Sequence, residues 1–197
     1  MILNKFIKLR KWQSMTVKIV TPITRDTVRE LKAGDTVEIN GTIYTARDAA
    51  HKRMLEDFER TGKFPFDIKN QTIYFAGPSP AKPGEPVGSI GPTTSYRMDA
   101  YSPKIIELGL TAMIGKGERS KEVIDAMKKY KAVYIGAIGG AGALLSNHIK
   151  KCEVIAYDDL GAEAIHKLEV FDFPGIVIID SDGNNLYETE ILKYKEI

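Results

Sequence analysis

Polar and apolar residues alternate along TVKIVTP (16 to 22), the period-two pattern of a half-buried strand. TRDTVREL then shifts to a helical spacing that the Gly34-Asp35 turn stops. The next alternating run is divided by Asn40-Gly41 into TVEIN and TIYTA, and that dipeptide predicts a two-residue hairpin. From Arg47 to Arg60 the apolar positions Ala50, Met54, Leu55 and Phe58 share one side of a helix, with Gly62 closing it. QTIYFAG returns to a strand pattern. After it, PSPAKPGEPVGSIGP (78 to 92) holds five of the nine prolines and no apolar period, so it is read as a loop. A loop of this length in a domain is more often functional or mobile than a plain connector.

The second half alternates more regularly. Ser102-Pro103 is a cap followed by a first-turn proline and opens the helix PKIIELG. TAMIG is a buried-type strand, ERSKEVIDAMKKY an amphipathic helix, and AVYIGAI another apolar strand. Glycines at 136, 139, 140 and 142 lead into ALLSNHIKK, a turn entering a helix. CEVIAYDD reads as strand, GAEAIH as short helix and LEVFDF as strand, and GIVIID-SDGN-NLYE as a closing hairpin. No internal repeat occurs. Strands and helices in this order predict a layered α/β domain with a mixed sheet.

Composition narrows the class. A chain of 197 residues with 43 % hydrophobic and 27 % charged positions can bury a core without disulfides or metal staples. A net charge of +2 is too small for a nucleic-acid or membrane-surface footprint. No run approaches the length of a spanning helix, and the cytoplasm is the default location. The single cysteine, Cys152, excludes an internal disulfide and cannot alone hold a cysteine-ligated cluster; opening an apolar strand, it is expected to be buried and inert. Residues 1 to 14 mix basic and apolar positions in runs too short for a secretory core, and are read as a loosely attached arm on a domain spanning 15 to 197.

Most candidate motifs fail at a defining position. In GAIGGAG, a dinucleotide fingerprint starting at Gly140 would end on Leu145, so a tight strand-to-helix turn is the better account. For GKG (115 to 117) to be a phosphate loop, Leu110 and Gly117 would have to be glycine and Ser or Thr. DSDGNN has Asn185 where a calcium loop needs Gly and Ile191 where it needs Glu. His51, His148 and His166 lack metal-ligand spacing; His51 draws notice because it lies one helical turn beyond Arg47. What remains is cationic. Arg47, Arg97 and Lys116 each stand at an element end, where functional side chains concentrate. Two guanidinium forks and an ammonium suit a small dianion. From position alone, ordinary surface charge among 28 basic residues is the stronger reading.

Five stretches in order change that balance: TARDAAHKR (45 to 53), GPTTSYRMD (91 to 99), MIGKG (113 to 117), GAIGGAGALL (136 to 145) and LGAEAIHKLEVFDFPGIVIID (160 to 180). Together, over roughly residues 15 to 190, they resemble the β subunit, or C-terminal half, of class I iron–sulfur fumarate hydratases and the related L-tartrate dehydratases. The resemblance implies a swivelling β/β/α domain and half of a hydro-lyase that interconverts fumarate and (S)-malate. It implies an α subunit whose cysteines bind the [4Fe–4S] cluster, a hetero-oligomer, and an active site where the two subunits meet. By the same resemblance Arg47, Arg97 and Lys116 are substrate-carboxylate ligands, and Thr93 takes part in proton transfer at C3 of malate. Two positions depart from the pattern. Tyr96 replaces a small residue near Arg97, and His166 replaces an aromatic, an exchange expected to touch packing only. L-tartrate dehydration is the alternative within the class, and a non-catalytic dicarboxylate-binding or assembly module is the alternative outside it. A neighbouring reading frame encoding three well-placed cysteines would favour the enzyme.

Overall fold

Alternate residues of the central strands go to opposite hydrophobic layers. Tyr74, Ile114, Val133 and Ile135 join one core cluster, while Ile73, Phe75, Met113 and Tyr134 join a second. Strands buried on both faces read as continuous apolar runs, as these do. The computed structural model describes residues 16 to 194, with side chains to 190; the arm expected over residues 1 to 14 lies outside them.

Seven strands form one mixed sheet: β1 (Val17–Val20), β2 (Thr36–Thr45), β3 (Thr72–Tyr74), β4 (Ala112–Gly115), β5 (Val133–Gly136), β6 (Ile149–Ala156) and β7 (Ile165–Ile179). The order is β1-β2-β3-β4-β5-β7-β6, and an antiparallel pairing of β7 with β2 closes β2, β3, β4, β5 and β7 into a small barrel. Strands β1 to β5 run parallel. The first core cluster fills the barrel, with Ile39, Ile43, Leu168, Val170, Phe173 and Val177 from the two long strands. The second lies between the sheet and α2 (Asp48–Thr61), α3 (Ser102–Glu107) and α4 (Lys121–Tyr130). Helices α1 (Arg25–Glu30), α5 (Gly142–Ser146) and α6 (Leu186–Tyr194) complete the fold. The mixed α/β class is as expected.

Three local expectations are corrected. No hairpin forms at Asn40-Gly41, because β2 runs straight through it. Gly41 uses its positive φ of 107° in a register shift against β7, and a Cβ there would collide with Thr21 Oγ1. The Asn40 amide turns sideways, donating to Asp172 Oδ1 and accepting from the Asp172 N–H across the sheet. The second hairpin shrinks to its turn and one antiparallel bridge, Ile179 to Asn185, before α6 begins. Asn185 caps that helix, accepting from Tyr187 N–H and donating to Glu188 Oε1. Third, Ser102 is not a helix cap. Its hydroxyl donates to Met98 O and accepts from Arg119 Nη2, which ties α3 inward. The 78 to 92 segment is free of helix and strand, as expected.

Candidate active site

In parallel α/β sheets, the loops beyond the carboxyl ends of the strands are where ligands bind. Arg47 follows the end of β2 and forms the N-cap of α2. Lys116 directly follows β4. Thr93 lies beyond the long loop that leaves β3, and its N–H donates to Phe75 O at 2.6 Å. Arg97 sits in a short 3₁₀ helix, Ser95–Met98. All four sequence-predicted residues therefore stand on one edge, at the ends of three adjacent strands.

Their mutual placement is set by residues that the sequence reading did not single out. Arg97 Nη2 donates to Asp48 Oδ2 at 2.6 Å, so the residue next to Arg47 holds the fork of Arg97. Glu163 uses both oxygens, one taking Arg47 Nη2 at 3.1 Å and the other the Ala49 N–H at 3.2 Å. Both pairs are partly exposed, a setting worth about 0–1 kcal/mol, so their consequence is orientation rather than stability. The Asp48 bond raises the Arg97 pKa above its ordinary value, keeping the fork charged. Asp48 Oδ1 and Arg47 Nε are buried without a hydrogen-bond partner. Asp48 and Glu163 both fall inside the family-like stretches, adjacent to or facing a candidate cation, and that adjacency was the available signal.

Lys116 makes no ion pair among the described residues and extends along the Gly139 turn, where a Cβ would come 3.4 Å from its Cδ. Thr94 bridges to Lys116, which brings the loop of Thr93 against the GKG turn. The Thr93 hydroxyl has no hydrogen-bond partner among the described residues. Three cations facing two carboxylates leave one positive charge, an arrangement that attracts a dianion. The edge is open. A polar cavity of about 600 Å³ lies elsewhere, between the 79 to 89 loop and α5. Beside the Gly139 turn, an apolar groove exposes Ile138 and Leu144 by 69 % and 68 %.

His51 lies beneath Arg47. It is fully buried, its Nδ1–H donates to Arg47 O at 2.9 Å, and its ring meets Phe75 edge-on. Burial pushes its pKa down to about 4 from 6.5, so the ring is neutral. The unfolded chain protonates first as pH falls from 6.5 to about 4, and the native state loses roughly 3 kcal/mol over that window, then no more from this group. Urea unfolding across that range should show the loss in wild type and a flatter profile in His51→Leu; equal profiles would contradict a neutral buried ring. His166 is buried on β7, not on a helix, where its backbone N–H donates to the Thr45 hydroxyl. Tyr96 is exposed by 67 % beside Arg97. Cys152 is half-buried on β6, with its thiol pKa raised by burial.

The sequence pattern of the family described as Fumarase C-terminus matches residues 3 to 190. The chain belongs to that family. A relative named "Putative L(+)-tartrate dehydratase subunit beta", from Methanocaldococcus jannaschii, is 43 % identical over 84 % of this chain and 88 % of its own length. "Fumarate hydratase class I, aerobic" from Salmonella typhimurium is 42 % identical over 77 % of this chain, and "Fumarate hydratase 2" from Leishmania major 39 % over 88 %. This Fumarase C-terminus chain spans only 27 % and 31 % of those two fumarate hydratases. No helix among the described residues is long and apolar enough to cross a membrane.

Proposed function

We propose that this chain is the β subunit of a two-subunit hydro-lyase that adds water to fumarate to give (S)-malate. The observation that carries the reading is the clustering of Arg47, Arg97, Lys116 and Thr93 on one open sheet edge in a Fumarase C-terminus chain. Arg47 and Arg97 would grip the carboxylates of the dianion through their planar forks, and Lys116 would add a mobile point charge. Proton movement at C3 of malate builds enolate-like charge, which fixed cations stabilise. Thr93, whose hydroxyl is uncommitted among the described residues, would handle that proton. A hydroxyl is a weak base and needs an activating group, which the open edge leaves to a second chain. The apolar groove at Ile138 and Leu144, next to the Gly139 turn that Lys116 approaches, supports such a partner. On the same proposal the domain swivels against an α subunit, and the assembly is cytoplasmic.

The [4Fe–4S] cluster implied by class I relatives does not fit this chain's donors. Cys152 is the only thiol, and no set of three candidate ligands comes together among the described residues. On this proposal the cluster belongs to the α subunit, as the family resemblance implies, where it would act as a Lewis acid on the hydroxyl.

A second reading, L-tartrate dehydration, has its own support. The Methanocaldococcus jannaschii relative with that name is matched over 88 % of its own length, against 27 % for the Salmonella typhimurium fumarate hydratase. Anaerobic co-expression with the candidate α subunit, cluster reconstitution, and assays on fumarate, malate and L-tartrate separate the readings. Fumarate turnover that collapses in Arg97→Ala is expected. Tartrate turnover alone would change the substrate. Dicarboxylate binding with no turnover would leave a binding module.

A further inference from the structure

The segment carrying Thr93 and Arg97 is held on both sides by buried tyrosines that take no part in binding carboxylates. Ahead of it, Tyr74 OH donates to Ile90 O at 2.9 Å. Behind Thr93, Ser95 and Tyr134 join the GKG turn in a ring of hydrogen bonds. Lys116 N–H donates to Ser95 Oγ at 3.1 Å, and Tyr134 OH donates to Gly117 O at 2.9 Å. A carbonyl only accepts, so Gly117 O takes the one phenolic proton. Ser95 must then be the donor in its 2.9 Å contact with Tyr134. Every bond in the ring thus runs one way, from the Lys116 amide through both hydroxyls to the Gly117 carbonyl. Ser95 N–H closes the circuit by donating to Lys116 O at 2.9 Å.

Both hydroxyl residues are fully buried, and the Arg119 guanidinium lies 5.1 Å over the Tyr134 ring. The ring needs close backbone approach, since a Cβ at Gly115 would run into Ser95 Oγ. It joins two chain regions that are also linked by the Thr94 to Lys116 bridge and, farther along, by Asp99 with Arg119 and the Ser120 N–H. One region bears Thr93 and Arg97, the other Lys116.

We propose that the Ser95–Tyr134 hydroxyl pair is a latch holding Thr93 and Arg97 in register with Lys116, which makes both positioning residues for the reaction. The proposal rests on the hydro-lyase reading above. Neither side chain meets substrate; each acts through the loop it fixes. Displacement of reacting groups by about 1 Å can cost on the order of 10²-fold in rate. Carboxylate binding depends also on Arg47, which the latch does not touch.

The test compares Tyr134→Phe, Ser95→Ala and the double variant in the cluster-loaded complex. Each single change is expected to lower kcat roughly 10- to 100-fold with a much smaller change in KM. The double variant should be no worse than the more damaging single, because both break one ring. Multiplying losses, or unchanged kcat, would overturn the latch. Hydrogen exchange on the chain supplies a readout independent of turnover. Tyr134→Phe should speed exchange at the Ser95 and Lys116 amides and spare β1 and β2; unchanged exchange overturns the latch whatever the activity. A wild-type complex inactive on all three substrates, with fast exchange in the variant, sinks the hydro-lyase reading and the positioning role with it.

Discussion

Thr93→Ala is expected to lower kcat of the assembled enzyme roughly 10²- to 10⁴-fold, the range typical for removing a positioned proton-transfer group. The same change should leave stability within about 0.5 kcal/mol, as for a substitution away from the core. This separation follows from how Thr93 is held. Its fixed contact is made by its backbone, through the N–H to Phe75 O, and its neighbour Pro92 pairs with Ala76. Its hydroxyl makes no hydrogen bond among the described residues, so deleting it strands none of them. Thr93→Ser retains the oxygen and should recover most of the rate. Steady-state kinetics beside a urea melt distinguishes the cases. A variant that keeps wild-type kcat removes Thr93 from the chemistry, and one that unfolds shows the residue to be structural instead.

The strands and helices of the second half were readable because burial on both faces makes β4 and β5 continuous apolar runs, and α4 has a clear stripe behind Ser120. The misreadings share one cause, a local signal reused by tertiary structure. Gly41 supplies a positive φ, as the hairpin reading required, but spends it on a bulge inside β2 that leaves room for Thr21. Ser102 looks like a cap, yet its hydroxyl serves Arg119. At Asn185 the capping signal was present in Asn185 and Glu188 and was outweighed by the turn in SDGN. The site divides the same way. Arg47, Arg97 and Lys116 stood out as cations at element ends, while Asp48 and Glu163 gain meaning only through contacts 49 and 114 residues distant in sequence. Arg119 was invisible, because it was read as part of the amphipathic helix ERSKEVIDAMKKY, one charge among many there.

The two carboxylates also bear on how the site meets its ligand. Each holds one fork, so on the proposed reading Arg47 and Arg97 would arrive already oriented and lose less freedom on binding a dianion. Lys116 lacks such a partner among the described residues and lies along the Gly139 turn. On the proposed reading, two held forks and one unpaired ammonium would suit a substrate whose geometry changes when water adds across its double bond.

Arg119→Met is expected to destabilise the chain by about 3–5 kcal/mol, the cost of breaking a buried pair from one side. The Arg119 side chain is 0 % exposed and that of Asp99 11 %. Arg119 Nε donates to Asp99 Oδ1 at 2.7 Å, Nη2 donates to the Ser102 hydroxyl at 2.7 Å, and the guanidinium lies over the Phe75 and Tyr134 rings. Burial pulls the Arg119 pKa down, while Asp99 pulls it back up. With methionine in its place, Asp99 keeps only the Ser120 N–H for its other oxygen, a single bond for a desolvated carboxylate. Asn at position 99 removes that stranded charge, so the Arg119→Met, Asp99→Asn pair should recover part of the loss. Denaturant melts of the two single variants and the pair measure the coupling. A loss below about 1 kcal/mol would mean that water reaches Asp99 once the arginine is gone. The consequence extends to the site, because Asp99 ends the turn that carries Arg97 and binds the first amide of the α4 cap. Loss of the ion pair therefore loosens the loop from below, where the latch at Ser95 holds it from the side, and the rate should fall even in the fraction of molecules that remains folded.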